Sequence, residues 1–257
     1  MNAIATSSAI DAAYTREVLS RIELLAADAE AGGFDDAIDL LVKGIERGGV
    51  IQAFGTGHSE AFAMEIAGRA GGLIPTNKIA LRDVVLRGSL TVDALGGSTL
   101  ERDPAVVDEL FSIASPGAND VFIIASNSGV NGSIVGLALA AKQHGHPVIA
   151  VTSLDHTMKV EPKHTSGKRL KDIADVVIDN RAPFGDATIE LVDGIPVGAV
   201  SSITAAFIAQ LLTIGVARQI AESGETPPMY ISANMPGGDE HNQALEARYQ
   251  NQIRRDA

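Results

Sequence analysis

The chain has 257 residues, 46% of them apolar, enough to bury one large core or one core with a helical extension. Its formal charge of −12 repels a phosphate backbone and argues against a nucleic-acid partner, although N–H and hydroxyl groups can still hold a small anion. With no cysteine, disulfides and thiol chemistry are excluded; no basic segment followed by an apolar one marks a signal peptide, so a cytoplasmic protein is expected.

Residues 10–47 read as a helical hairpin. Tyr14, Val18, Ile22 and Leu25 recur at helical spacing, as do Ile38, Leu41 and Ile45, and Gly32-Gly33 separates the two sets. Short apolar runs follow at 50–54, 121–125, 148–151 and 176–178. Mostly uncharged and rich in branched residues, they predict parallel strands buried on both faces. Runs at 73–75 and 79–81 offer one more strand. Helices are predicted over 60–70, 104–114, 132–144 and 196–221. The stretch 196–217 is uncharged and long enough to span a bilayer, but it contains Ser201, Ser202, Thr204, Gln210 and Thr213. A buried helix of a soluble domain is the better reading, and no membrane partner is expected. The alternation predicts an α/β fold with a doubly wound parallel sheet. We expect one domain: an N-terminal helical hairpin at 1–47, a core at 48–222 and a tail at 223–257 that is richer in Pro, Gly and Asn.

Ligands of open parallel sheets bind at the carboxyl ends of the strands, so the residues just after each strand matter most. After the first comes Gly55-Thr56-Gly57-His58-Ser59, whose glycines allow a tight turn and whose Ser59 can cap a helix or donate to an anion. Glu60 stands where a dinucleotide fingerprint needs its third glycine, and no Gly-Lys-Ser/Thr follows. After the second comes Ser126-Asn127-Ser128-Gly129-Val130-Asn131-Gly132-Ser133. Its hydroxyls and amides precede a helix N-terminus and can wrap a phosphate. Either loop read alone is also an ordinary strand-to-helix turn; together they point to an anion site.

The pair Gly55-x-Gly57-x-Ser59 and Ser126-x-Ser128-Gly129 resembles the SIS (sugar isomerase) family over roughly residues 49–217. The chain is also similar to stand-alone bacterial SIS proteins of about this length. The resemblance implies a three-layer α/β/α fold, a sugar-phosphate ligand and a homo-oligomer, dimer or tetramer. The family's phosphate loop reads Ser-x-Ser-Gly-x-Thr; Asn131 stands in the last place here, which leaves room for a sulfonate or carboxylate. By this resemblance Gly57, Ser59, Ser126, Asn127, Ser128, Gly129 and Asn131 bind the substrate.

Aldose–ketose isomerisation needs a base to move a proton between C1 and C2 and an acid to serve the oxygens. Glu65 is the candidate base. Its stretch Met64-Glu65-Ile66-Ala67-Gly68-Arg69 is similar to the Glu-Leu-x-Gly-Arg of phosphoheptose isomerases, which carries a functional glutamate. The bland alternative is an ion pair with Arg69 at i+4. His58, inside the first loop, and His164, in Lys163-His164-Thr165-Ser166-Gly167-Lys168-Arg169, are both candidates for the acid. Lys168 is a candidate for holding the anion. Phosphoheptose isomerases place a histidine on the late helix, and residues 200–217 have none. His144 and His146 read as structural. Asn234, Asp239, His241 and Asn242 could close the tail over a site. No metal-ligand spacing is present, so no metal or cofactor is expected. The leading expectation is an isomerase of a phosphorylated or otherwise anionic sugar acting through an enediol. The alternatives are a non-catalytic sugar-phosphate sensor and a lyase or etherase acting on an amino-sugar phosphate.

Overall fold

In a computed structural model that describes residues 7–97, 99–192 and 194–255, the chain opens with α1 (Ser7–Glu30) and α2 (Asp35–Glu46). Gly32, at φ +82°, turns the chain between them, as the sequence indicated. Strand β1 (Ile51–Gly55), helix α3 (Glu60–Ile66), strand β2 (Thr76–Ile79) and the short helices α4 (Asp83–Leu86) and α5 (Thr99–Arg102) follow. Then come α6 (Val107–Ala114), β3 (Val121–Ala125), α7 (Gly132–Gln143), β4 (Val148–Thr152), α8 (Leu154–Thr157) and β5 (Val176–Asp179). A hairpin of β6 (Ala187–Val192) and β7 (Ile195–Ala199) leads into α9 (Ser201–Glu222), and α10 (Gly238–Glu246) lies near the end.

The five strands β1 to β5 form one parallel sheet in the order β2-β1-β3-β4-β5. Side chains alternate between its faces. Ile51, Ala53, Ile123 and Val151 join Ile38 and Leu41 of α2, Phe62 of α3 and Ile208 and Leu212 of α9 in one core. Phe54, Phe122, Ile124 and Ala150 join Leu110 of α6 and Leu137 of α7 in the other. Helices thus cover both faces, and the expected three-layer, doubly wound α/β fold is present. Apolar burial of this kind stabilises by about 1.5–3 kcal/mol per large side chain.

Three boundaries and the role of the tail differ from the sequence reading. Helix α3 stops at Ile66 rather than at 70, because Gly68 takes φ +76° and turns the chain out of the helix. Strand β2 lies between the two candidate runs. Pro75 has no N–H to give a ladder, and Leu73 bridges to Met229 instead. Residues 196–199 are strand, not helix: they pair with β6, and α9 begins only at Ser201. The tail is not a lid. Asn242 donates from Nδ2 to the Ile231 carbonyl (2.9 Å) and accepts from Ile231 N (3.1 Å), and His241 Nε2 donates to the Met229 carbonyl (3.0 Å). Asn77 of β2 donates to the Gln252 carbonyl (2.7 Å) and accepts from Arg254 N (2.7 Å). The tail therefore covers the β2 edge, which an open sheet would expose to pairing with other chains.

Helix α9 is 22 residues long, and its length and mean hydropathy of 1.5 would allow it to cross a membrane. In the fold it packs in the first core through Ala205, Ile208, Ala209, Leu212 and Val216.

Candidate functional site

The chain leaves β1 toward one edge of the sheet and returns as β3 on the other side of β1. Their carboxyl ends therefore frame the crevice where such sheets bind ligands. Both glycine-serine loops sit there. Gly57, at φ +55°, opens a single 3-10 turn over Gly57–Ser59 that feeds α3. Across from it Gly129 takes φ +64°, and its N–H donates to Ser126 Oγ (3.1 Å). The loop is anchored from below: Ser153 N donates to the Asn127 carbonyl (3.2 Å) and Leu170 N to the Gly129 carbonyl (2.8 Å).

Two further segments close the crevice. Asn180, 3% exposed just past β5, donates from Nδ2 to Asn127 Oδ1 (3.1 Å) and accepts from Ala182 N at its own Oδ1 (3.0 Å). The start of α9 brings Ser201 and Ser202. Asp186 caps that helix from a distance: Oδ1 accepts from Val200 N (3.1 Å) and Ser201 N (2.8 Å), and Oδ2 accepts from Ser201 Oγ (2.7 Å). The result is a narrow cleft that opens to solvent at the strand ends. His58, Ser59, Ser126, Asn127, Asn180, Ser201 and Ser202 line it with Phe62, Ala125, Val151 and Ala205. Hydroxyls and amides converge over an apolar floor, a surface suited to a small polyhydroxylated anion.

Of the residues singled out in the sequence, His58, Ser59, Ser126 and Asn127 meet on this cleft. Gly57 and Gly129 shape its two loops, and Ser128 is half-buried beside them without lining it. Asn131 is held elsewhere: its Nδ2 donates to Glu101 of α5 and its Oδ1 accepts from Lys163 Nζ (3.4 Å). Glu65 lies one turn beyond Phe62. Its Oε1 accepts from Gln210 Nε2 (2.6 Å) and from Arg69, so the i+4 ion pair does form. His164 Nδ1 accepts from Ser166 N (3.1 Å) and lies 2.9 Å from Ser166 Oγ; Lys168 is exposed on the same loop, and neither lines the cleft. His144 and His146 hold backbone carbonyls of Ala140 and Asp120 and pack against Phe111, as structural residues do.

Asn180, Ser201, Ser202 and Asp186 were not recognised in the sequence. Two signals mark them in the chain: Asn180 just past the run 176–178, and the polar pair Ser201-Ser202 within the uncharged stretch 196–217.

His156 supports the turn that carries Asp186. Its Nδ1 accepts from Gly185 N (3.0 Å) and its ring lies 5.1 Å from that of Phe184. Burial lowers its pKa below the ordinary 6.5, against the opposing pull of Asp186 and Asp155 and with some help from Lys163. The folded chain therefore binds fewer protons here than the unfolded chain. The stability this contributes is present above pH 6.5 and is lost as pH falls through the lowered value. A proton on Nδ1 would face the Gly185 N–H. The protection factor of the Gly185 amide, its observed exchange measured against an intrinsic rate that itself slows toward acid, is expected to fall on acidification. An unchanged protection factor from pH 7.5 to 5.5 would contradict this.

A family model described as the SIS domain matches residues 13–153. A UPF0309 protein of Listeria monocytogenes is 37% identical over 240 residues, 93% of this chain and 95% of the relative. Another from Geobacillus thermodenitrificans is 32% identical over 241 residues, 93% and 95% of the two chains. Among solved structures, phosphoheptose isomerase GmhA from Neisseria gonorrhoeae superposes with a TM-score of 0.52 at 21% identity, covering 84% of this chain and all (100%) of its own. The E. coli CFT073 protein c3406, solved in complex with A5P, gives 0.53 at 15% identity, covering 84% and 94%. At these identities the structures attest the shared fold. With the family model spanning more than half of the chain and relatives matching along nearly its whole length, this protein belongs to the SIS domain family and to the UPF0309 proteins.

Proposed function

We propose that the chain binds an anionic sugar, a sugar phosphate foremost, in the cleft between the β1 and β3 loops, and isomerises it between aldose and ketose through an enediol. The observation that supports this most is the convergence of both loops, the α9 serines and His58 on one cleft at the strand ends. Such a cleft offers donors for the anion and for the negative charge that develops on the enediolate. His58, the imidazole on the cleft wall, serves proton transfer between the sugar oxygens. Glu65, on the helix that also carries Phe62, is the base that moves the proton between C1 and C2.

The test is incubation in D2O with aldose phosphates, amino-sugar phosphates and sulfonated sugars, following C2–H by proton NMR. Loss of that signal with appearance of a ketose is the expected result. Glu65→Gln is expected to lower turnover by about 100-fold or more with little change in affinity. Full turnover in that variant would remove Glu65 from the reaction.

One observation favours a second reading, a binding module without turnover. Glu65 is already engaged by Gln210 and Arg69 and does not line the cleft. That reading expects saturable binding and no C2–H exchange. Under either reading we expect self-assembly. Leu19 and Leu24 of α1 (53% and 54% exposed) and Ile195 of the hairpin (61%) provide apolar surface for it.

A further inference from the structure

We propose that Ser201, positioned by Asp186, is the specificity-determining end of the cleft: it presents an acceptor oxygen that selects a hydroxyl or amino hydrogen on the sugar chain. The inference rests on the reading that this cleft takes an anionic sugar.

The argument follows the protons. A serine hydroxyl has one proton to give, and a carboxylate only accepts. Ser201 Oγ lies 2.7 Å from Asp186 Oδ2, so its proton is committed to Asp186. Ser201 lines the cleft, and its hydroxyl has only lone pairs left to offer a ligand there.

The opposite wall is wired the other way. Ser126 Oγ accepts from Gly129 N (3.1 Å), which leaves its own O–H to donate. The Ala182 N–H fixes Asn180 Oδ1 as an acceptor, so Asn180 Nδ2 points to Asn127 and makes the facing atom Asn127 Oδ1. That leaves the Asn127 NH2 group to donate. The Ser126–Asn127 wall therefore donates, and Ser201 on the other wall accepts.

An anionic group is satisfied by Ser126 and Asn127 and repelled by the Ser201 oxygen with Asp186 behind it. A sugar hydroxyl or an ammonium group is the complement of Ser201. Ser201 thus favours one orientation of the ligand, with its anion on the β3 loop and a hydrogen-bond donor on Ser201. A bare anion uses the donor wall alone.

Asp186→Asn tests this with little disturbance. Asp186 sits at φ +70°, a conformation asparagine also adopts readily. The variant keeps Oδ1 for the Val200 and Ser201 N–H groups, and the new Nδ2 donates to Ser201 Oγ. The Ser201 hydroxyl then turns from acceptor to donor toward the cleft. Titration calorimetry on the full chain would compare inorganic phosphate with arabinose 5-phosphate and glucosamine 6-phosphate. The expected result is that Asp186→Asn weakens at least one sugar phosphate about tenfold or more and leaves inorganic phosphate unchanged or tighter. Ser201→Ala, which keeps Asp186 on the helix backbone, should likewise lose the preference for sugar phosphate over phosphate. Sugar-phosphate affinity unchanged in both variants would overturn the inference. So would an equal weakening of all three probes, the mark of a merely structural cap. Wild-type protein that binds none of the probes would instead overturn the anionic-sugar reading, and this inference with it.

Discussion

Gly55→Ala is expected to distort the cleft between the β1 and β3 loops and to lower stability by about 1–3 kcal/mol. A Cβ at Gly55 would lie 2.2 Å from the Ser59 carbonyl oxygen, 2.6 Å from its carbon and 3.1 Å from Glu60 N. All three atoms are backbone, so no flexible side chain can move aside. Gly55 itself, at the carboxyl end of the interior strand β1, is held in register opposite Ala125. Relief must come from the Gly57–Ser59 turn, and that turn carries His58 and Ser59 onto the cleft. Urea denaturation should show an earlier midpoint, and phosphate titration should show lost affinity in the folded protein. An alanine variant with wild-type midpoint and affinity would mean that the cleft does not depend on this close approach.

Asp120→Ala is expected to cost about 3 kcal/mol or more while leaving ligand affinity intact in the folded fraction. Asp120 is 3% exposed at the amino end of β3, opposite the cleft. Its Oδ1 accepts from Val50 N (2.8 Å), and its Oδ2 accepts from Gln52 Nε2 (2.8 Å) and Gly117 N (3.0 Å). Truncation strands the Val50 and Gln52 donors in the interior, where an unpaired polar group is expensive, while the exposed Gly117 N–H turns to water. Gln52, 1% exposed, already has an unpartnered Oε1 and depends on Asp120 for its amide. Gln52→Leu added to Asp120→Ala should therefore recover part of the loss. The measurement is the denaturation midpoint of each variant. A shift below about 1 kcal/mol would show that water reaches these groups on truncation.

Some of the fold was missed for local reasons. Asp193-Gly194, between Val192 and Ile195, is a strong two-residue hairpin signal. The uncharged run beyond Pro196 nevertheless reads as continuous helix. Without its neighbours, an apolar stretch with one proline can be assigned to strand or helix, and pairing with β6 decides for strand. The tail was unreadable for a different reason. Its fit on β2 comes from single hydrogen bonds across more than 170 residues, such as Asn77 to Arg254, which leave no periodic trace in the chain.

The sequence by itself determined the parallel sheet, the helical hairpin and the positions of the two glycine-serine loops at the strand ends. Each of these follows from local chemistry: uncharged branched runs suit doubly covered strands, and glycines permit the left-handed turns at Gly57 and Gly129. Only the tertiary structure decided which polar groups face the cleft and what each can offer. Asn180 and Ser201 reach it from other strand and helix ends, while Glu65 and Asn131 are turned to Gln210 and Glu101. A hydroxyl or amide has no fixed polarity of its own. Its folded partners, Asp186 for Ser201 and Asn180 for Asn127, determine whether it gives or accepts a proton, and those partners are brought together only by the packed sheet.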